Sequence, residues 1–328
     1  MIIAGISRED DDIINCLPLK KFIAFVDNYN LSIETINTLF NLKEKALIAN
    51  PELGLIRNEL KRVVLDKLIN TPRYFISFEG VDATGKGTIS RFFESFIQWL
   101  DIKAERINIP NYTLGTGKII TNALSTNMTE EDLYKRRYEF INHFAVNRKE
   151  VNYNYRQEYI KLESKVFIFD RWINSSVAFS IAKTILHTLP TDNGGCGVDG
   201  VVIPEIFTDD IINQIKEAID YNYNLELDIL GNDVVDLELV IVSSIENINK
   251  RIDQRKNTSS LDQDIIKDDQ HEKNSALLQV TQKVFESLAV GHLNNINYEN
   301  RAAKSTFVIE NDYQLKEAIF DCLKKFLD

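Results

Sequence analysis

The sequence predicts an α/β protein: a parallel sheet flanked by helices, with an extra helical region at the N-terminus. Three observations predict it. Short apolar runs of strand length recur at YFISFE (74–79), ERINI (105–109), KVFIFD (165–170), LELVIVS (237–243) and TFVIE (306–310). Helical spacings separate these runs, an alternation that places successive strands parallel with helices on both faces. The first run passes directly into a glycine loop and then a helical pattern, and in such sheets ligands sit at the carboxyl ends of the strands.

Taken in order, residues 1–72 form a region of helical periodicity in LSIETINTLFNLKEKALI and LIRNELKRVVLDKLIN, where Leu60, Val63, Val64 and Leu68 recur at helical intervals. Asn70, Thr71 and Pro72 break that pattern, and the region carries no catalytic signature. From residue 73 to 328 the strand, loop and helix rhythm takes over. Ile89, Phe92, Phe93, Phe96, Ile97 and Leu100 lie on one helical face after the glycine loop. A helix from Thr129 to about Val151, capped by Thr129 with Asp132 three residues on, places Phe140, Phe144 and Arg148 on one stripe. Between about 184 and 233 the segment containing TLPTDNGGCGVDG reads as an irregular insertion. The charged stretch 251–273 follows the fourth strand.

Composition bounds the function. The chain of 328 residues has a formal net charge of −11, which argues against a broad grip on a nucleic-acid backbone, so any phosphate site is a local positive pocket. Cys16, Cys196 and Cys322 are too few and too scattered for a disulfide framework or a Cys-X-X-Cys metal site. No apolar stretch reaches the roughly 18 residues that span a bilayer, and the N-terminus lacks a leader pattern. A soluble, reduced protein of the cytoplasm is the expectation, without nucleic-acid or membrane partners.

Gly80-Val81-Asp82-Ala83-Thr84-Gly85-Lys86 fits the pattern G-x-x-x-x-G-K between a strand and a helix, the setting of a P-loop NTPase-type sheet. Glycines let backbone N–H groups turn inward around phosphate oxygens, and the first helical turn adds unpaired donors and a positive dipole end. Lys86 brings a point charge toward the β and γ phosphates. The position after the lysine is Gly87, with Thr88 next, so the hydroxyl that ordinarily binds magnesium is displaced by one residue.

Four segments carry a family resemblance. FISFEGVDATGKGT (75–88), IPNYTLGTGKII (109–120), FAVNRKE (144–150) and DRWINSSVAF (170–179) resemble, in order, the phosphate loop, Pro-containing loop, F-x-x-N-R-x-E helix and D-R-Y-x-x-S-S-x-A-Y segment of thymidylate kinases. The resemblance implies ATP- and Mg²⁺-dependent phosphorylation of a deoxynucleoside monophosphate, dTMP above others, by a homodimer. ATP would be held by Gly80, Ala83, Thr84, Gly85, Lys86, Gly87 and Thr88, with Thr88 and Asp170 toward the metal. Arg171 would grip the acceptor phosphate, Phe144 and Arg148 the base, and Asp82, Pro110, Tyr112, Ser175 and Ser176 the remaining acceptor surface. Taken alone, Phe144 also reads as core, Arg148 as a solvated charge and Asp170-Arg171 as a local ion pair.

Two departures stand out. The loop position that carries a catalytic arginine in some family members is Ala83, which passes that task to the 251–273 lid, where Arg251 and Arg255 are spaced i, i+4 and Lys256 and Lys267 follow, Arg255 being the one expected to reach ATP. Asn111 and Tyr112 stand where many members have an arginine, weakening the acceptor clamp by about 1.5–3 kcal/mol for one charged hydrogen bond. Asp82 to Gly87 also resembles the D-A-x-G-K-G loop of polyphosphate kinases of the second type, and the missing arginine leaves room for a catalytically decayed nucleotide-binding scaffold.

Overall fold

The computed structural model describes residues 16–42, 50–126 apart from 70 and 72, 128–162, 166–188, 206–257 and 275–328 apart from 313. Its centre is a five-stranded, wholly parallel sheet built from β1 (Tyr74–Glu79), β2 (Ala104–Asn108), β3 (Val166–Asp170), β4 (Leu237–Val242) and β7 (Thr306–Glu310). The strand order is β2-β3-β1-β4-β7, with β1 central. A two-residue antiparallel pair, β5 (His292–Leu293) and β6 (Ile296–Asn297), stands apart.

Each face of the sheet carries its own core. Alternation along β1 sends Ile76 and Phe78 to one side, where they meet α4 (Lys86–Trp99), α12 (Leu315–Leu327) and three N-terminal helices. These are α1 (Leu17–Asn28), α2 (Ile33–Leu42) and α3 (Pro51–Leu68). The N-terminal region is therefore continuous with this core: Phe40 stacks on Trp99 at 4.8 Å between ring centres and meets Phe92 edge-on at 5.4 Å.

On the opposite face, Phe75, Phe167, Phe169, Val240 and Val242 pack against α8 (Ile173–Thr188), α9 (Asp209–Tyr223) and α11 (Ser275–Val290). A long α7 (Arg137–Leu162) and α5 (Gly115–Leu124) close the edge beyond β2. A charged helix, α10 (Ile245–Asn257), runs from β4 back toward the glycine loop.

Three expectations are corrected. The helix expected over 129–151 is two helices, α6 (Glu130–Lys135) and α7, broken at Arg136. The Thr129 and Asp132 capping box forms, and at the break the Tyr134 carbonyl accepts from both the Arg136 amide and the Arg137 guanidinium. The segment 184–233 is irregular only in part. Residues 209–229 are helical, opened by a Thr208 cap on the Ile211 amide and closed by a π-helical turn, Asn224–Ile229. The loop after β2 is likewise shorter than expected, because α5 starts at Gly115. TLPTDNGGCGVDG beyond Thr188, Cys196 and residues 258–273 lie outside the described residues.

Candidate active site

β1 ends at Glu79 and the chain turns through Gly80–Gly85 into α4, whose first residue is Lys86. The turn needs left-handed backbone at Gly80 (φ +134°), Ala83 (φ +63°) and Gly85 (φ +98°). A Cβ on Gly80 would lie 2.3 Å from the Ile241 carbonyl oxygen, and one on Gly85 would lie 2.4 Å from Asn311 Nδ2. Glycine at both places lets β4 and the segment after β7 back the loop closely.

Lys86 is buried and donates from Nζ to the Val81 carbonyl at 2.9 Å, with Asp82 Oδ1 3.7 Å away. The ammonium is thus folded across the loop whose pattern suits a polyphosphate. Arg251, on α10, supports the loop from outside: its Nη1 donates to the Ala83 and Thr84 carbonyls and its Nη2 to the Asn311 carbonyl. Burial lowers its pKa, opposed by Asp312. The lid expectation named Arg255, whose side chain lies outside the described residues, as do those of Lys256 and Lys267. Arg251, one turn earlier, is the basic residue brought against the loop.

Asp170 closes β3 beside the first turn of α4. Its Oδ2 accepts from Arg106 Nη2 at 2.6 Å, and Arg106 Nε donates to Ser90 Oγ at 2.7 Å. A Cβ on Gly87 would sit 3.1 Å from that same Asp170 oxygen. Gly87 therefore leaves room for the Asp170–Arg106 pair, a physical reason for glycine where a hydroxyl residue ordinarily follows the lysine. Of the two neighbouring residues read as a possible local ion pair, each has found a different partner.

Arg171, at φ +74°, points the other way. Its Nη2 donates to Asp82 Oδ1 at 2.6 Å and its Nη1 to the Gly80 carbonyl at 2.9 Å. Burial works against its charge, but Asp82, Asp170 and Glu79 outweigh that and hold the guanidinium above its usual range. Asp82 thus joins the loop to a second compartment. This is a cleft lined by Asp82, Pro110, Tyr112, Phe144, Arg148, Arg171, Ser175 and Ser176, together with Phe140, Arg137, Phe179 and Lys183.

Several polar residues in this cleft are already tied. Arg148 is fully buried and paired with Glu226, donates from Nη2 to Ser176 Oγ at 2.6 Å and from Nη1 to the Trp172 carbonyl at 3.2 Å. It is neither a solvated charge nor an open fork. The Ser175 hydroxyl donates to the buried Glu79, which also accepts from the Trp172 amide at 2.6 Å. Burial raises the pKa of Glu79, opposed by Ser175, Arg171 and the Trp172 amide. In the F-x-x-N-R-x-E segment, Asn147 and Glu150 hold the Pro110 loop. Asn147 Oδ1 accepts from the Asn111 amide at 2.8 Å and its Nδ2 donates to Thr116 Oγ1 at 2.8 Å, while Glu150 accepts from the Thr116 amide and hydroxyl.

Sequence reasoning missed Arg106, Glu79 and Glu226. A charged residue inside a strand was the available signal for Arg106 and Glu79; nothing local marks Glu226.

A central β1 that delivers a G-x-x-x-x-G-K loop to the carboxyl end of a parallel sheet defines a P-loop nucleotide-binding fold. Within it, residues 78–191 match the family model described as thymidylate kinase, so the resemblance read from the four segments holds over that stretch. A relative named "Putative thymidylate kinase 251L", of Invertebrate iridescent virus 6, is 32% identical over 122 residues, 35% of this chain. The chain spans about half of that relative, 51% of its length. The solved thymidylate kinase of Candida albicans is similar in fold, with a TM-score of 0.50, 16% identity, 78% of this chain and 91% of that chain covered. The thymidylate kinase of Ehrlichia chaffeensis aligns at a TM-score of 0.42 with 14% identity, over 78% of this chain and 99% of that one.

Proposed function

We propose that this protein transfers the γ-phosphoryl group of ATP to a deoxynucleoside monophosphate, dTMP being the favoured acceptor. One observation carries the reading: Asp82 belongs at once to the Lys86 loop and to the Phe144 and Arg171 cleft, so two phosphate-bearing ligands would meet across a single carboxylate. Phosphoryl transfer asks a protein chiefly for alignment and charge neutralisation, with no covalent nucleophile.

Lys86 and the loop amides would hold the ATP phosphates, and Arg251 keeps the loop carbonyls turned away from them. Arg171 would orient the acceptor phosphate, while Phe144 offers an aromatic face to the base and Pro110 and Tyr112 close the side wall. Magnesium fits here as an ion carried in on phosphates: Thr88 and Asp170 offer hard oxygens at the first turn of α4, and among the described residues no group of three or more His, Cys, Asp or Glu forms a ready cage. Thr88 and Asp170 would hold that ion, whose contribution is to neutralise charge on the transferred group. A homodimer working in the cytoplasm completes the proposal on the strength of the family resemblance.

The test is a turnover panel with ATP and dTMP, dUMP, dCMP or dGMP, the Candida albicans enzyme being one of broad substrate specificity. A polyphosphate arm addresses the D-A-x-G-K-G reading. We expect dTMP to give the highest kcat/KM, and Lys86→Ala to lower it roughly 100-fold, as loss of one strong charge-assisted contact would, at near-normal Tm. ATP binding without turnover of any monophosphate overturns the proposal.

A further inference from the structure

Building on that reading of the cleft, we propose that Glu226 sets its base preference by fixing the Arg148 guanidinium so that a single N–H faces the ligand. A guanidinium has five N–H donors and no acceptor. Here Nε and one Nη2 proton go to Glu226 Oε1, the second Nη2 proton to Ser176 Oγ, and one Nη1 proton to the Trp172 carbonyl. Among the described residues that assigns four of the five. Arg148 nevertheless lines the cleft, beside Ser176 and one turn from Phe144, so the second Nη1 proton is the donor left for a ligand.

One fixed guanidinium donor, which cannot itself accept, suits a base that presents a ring carbonyl, as thymine and uracil do. It opposes a base that presents an exocyclic amino group at the same edge, as cytosine does, because two donors then meet in a buried place.

Glu226 is itself held in position. It is fully buried on the π-helical turn, its Oε2 accepts from Asn232 Nδ2 at 2.6 Å, and its carbonyl accepts from the Asn232 amide at 2.8 Å. Asn152 Nδ2 donates to Asn232 Oδ1 at 3.0 Å, and Lys149 Nζ donates to the Leu230 carbonyl. Residues 226–232 are thus fastened to α7 beside Arg148, so a segment outside the 78–191 family match supplies the part that aims the base-reading group. Glu226 touches no ligand in this scheme; it is a positioning residue.

The experiment measures equilibrium binding and steady-state turnover of dTMP and dCMP by the full-length protein and by Glu226→Gln, Asn232→Ala, Arg148→Met and the Arg148→Met/Glu226→Gln pair. We expect Glu226→Gln to weaken dTMP binding at least tenfold and to shrink the dTMP-to-dCMP preference by a similar factor, with KM for ATP and kcat within threefold. Asn232→Ala should move the preference the same way by a smaller factor, which keeps the test available if Glu226→Gln does not fold. In the Arg148→Met background, Glu226→Gln should have no further effect on the preference. A preference within twofold of the parent protein in both Glu226→Gln and Asn232→Ala, or an undiminished Glu226→Gln effect without Arg148, overturns the inference. A Glu226-dependent binding preference with no turnover overturns the kinase reading and leaves this inference standing.

Discussion

Gly80 shows how little freedom the nucleotide loop has. Its φ of +134° is closed to side chains, and the Ile241 carbonyl lies 2.3 Å from where a Cβ would be. Gly80→Ala should therefore cost about 3 kcal/mol of stability, read as a lower urea midpoint at an unchanged slope. Arg251 makes the complementary case from outside the loop. It spends its donors on three carbonyls, of Ala83, Thr84 and Asn311, so Arg251→Gln should release the loop and raise KM for ATP roughly tenfold, the equivalent of about 1.4 kcal/mol. KM for the monophosphate should stay put, because the acceptor cleft lies beyond Asp82. Equal rises in both constants would show that Arg251 does not act through the loop.

At the scale of elements, the five sheet strands were legible to within a residue or so. Each is a short run bounded by turn or helical patterns, and the three inner strands β3, β1 and β4 are buried along most of their length, with little polar side to blur them. The glycine loop was legible because its chemistry is local. The cleft was legible as a set of wall residues but not as a network, since the pairs that organise it are far apart in sequence: Arg106 and Asp170 by 64 residues, Arg148 and Glu226 by 78, Arg251 and Ala83 by 168. Helix α9 was hidden by the Gly- and Asp-rich stretch before it, although Ile211, Ile215, Ala218 and Ile219 keep helical spacing. The break at Arg136 was hidden because a good capping box and good helix formers stand on both sides of it.

Two strands also carry acids that face the same buried layer, Glu79 on β1 and Glu238 on β4. Burial, and then repulsion from Glu79, pushes Glu238 up to about 8, against the Asn174, Asn300 and Thr306 donors around it. The folded protein therefore binds more protons than the unfolded chain from about pH 4.5 upward, and stability falls as pH rises through about 8. Tm should decline across pH 5–8.5, and Glu238→Gln should flatten that decline whatever its absolute Tm. A slope unchanged by the substitution would assign the effect to another group.

For the whole molecule, the N-terminal helices decide whether the phosphate loop has a platform to stand on. Helix α4 begins with Lys86 and buries Phe92, Phe93, Phe96 and Trp99; α1 and α2 cover that side with Phe22 and Phe40. Phe40 lies within 6.1 Å of four other aromatic rings, those of Phe22, Phe92, Phe96 and Trp99. Lys21 to Glu59, Arg57 to Asp101 and Lys316 to Asp27 tie the rim with exposed or half-exposed ion pairs that add little each. The apolar contact dominates. Phe40→Ala should accordingly cost about 3–5 kcal/mol, the range for a large buried aromatic whose cavity cannot collapse, while kinetic constants at low temperature stay near those of the parent because the acceptor cleft lies across the sheet. Removing residues 1–72 would bare Phe92, Phe96 and Trp99 of α4 together with part of α12, so the 73–328 fragment should be insoluble or lack a cooperative melt. A soluble 73–328 fragment melting at the parent temperature would show instead that these helices are an appendage, and that α4 holds its loop without them.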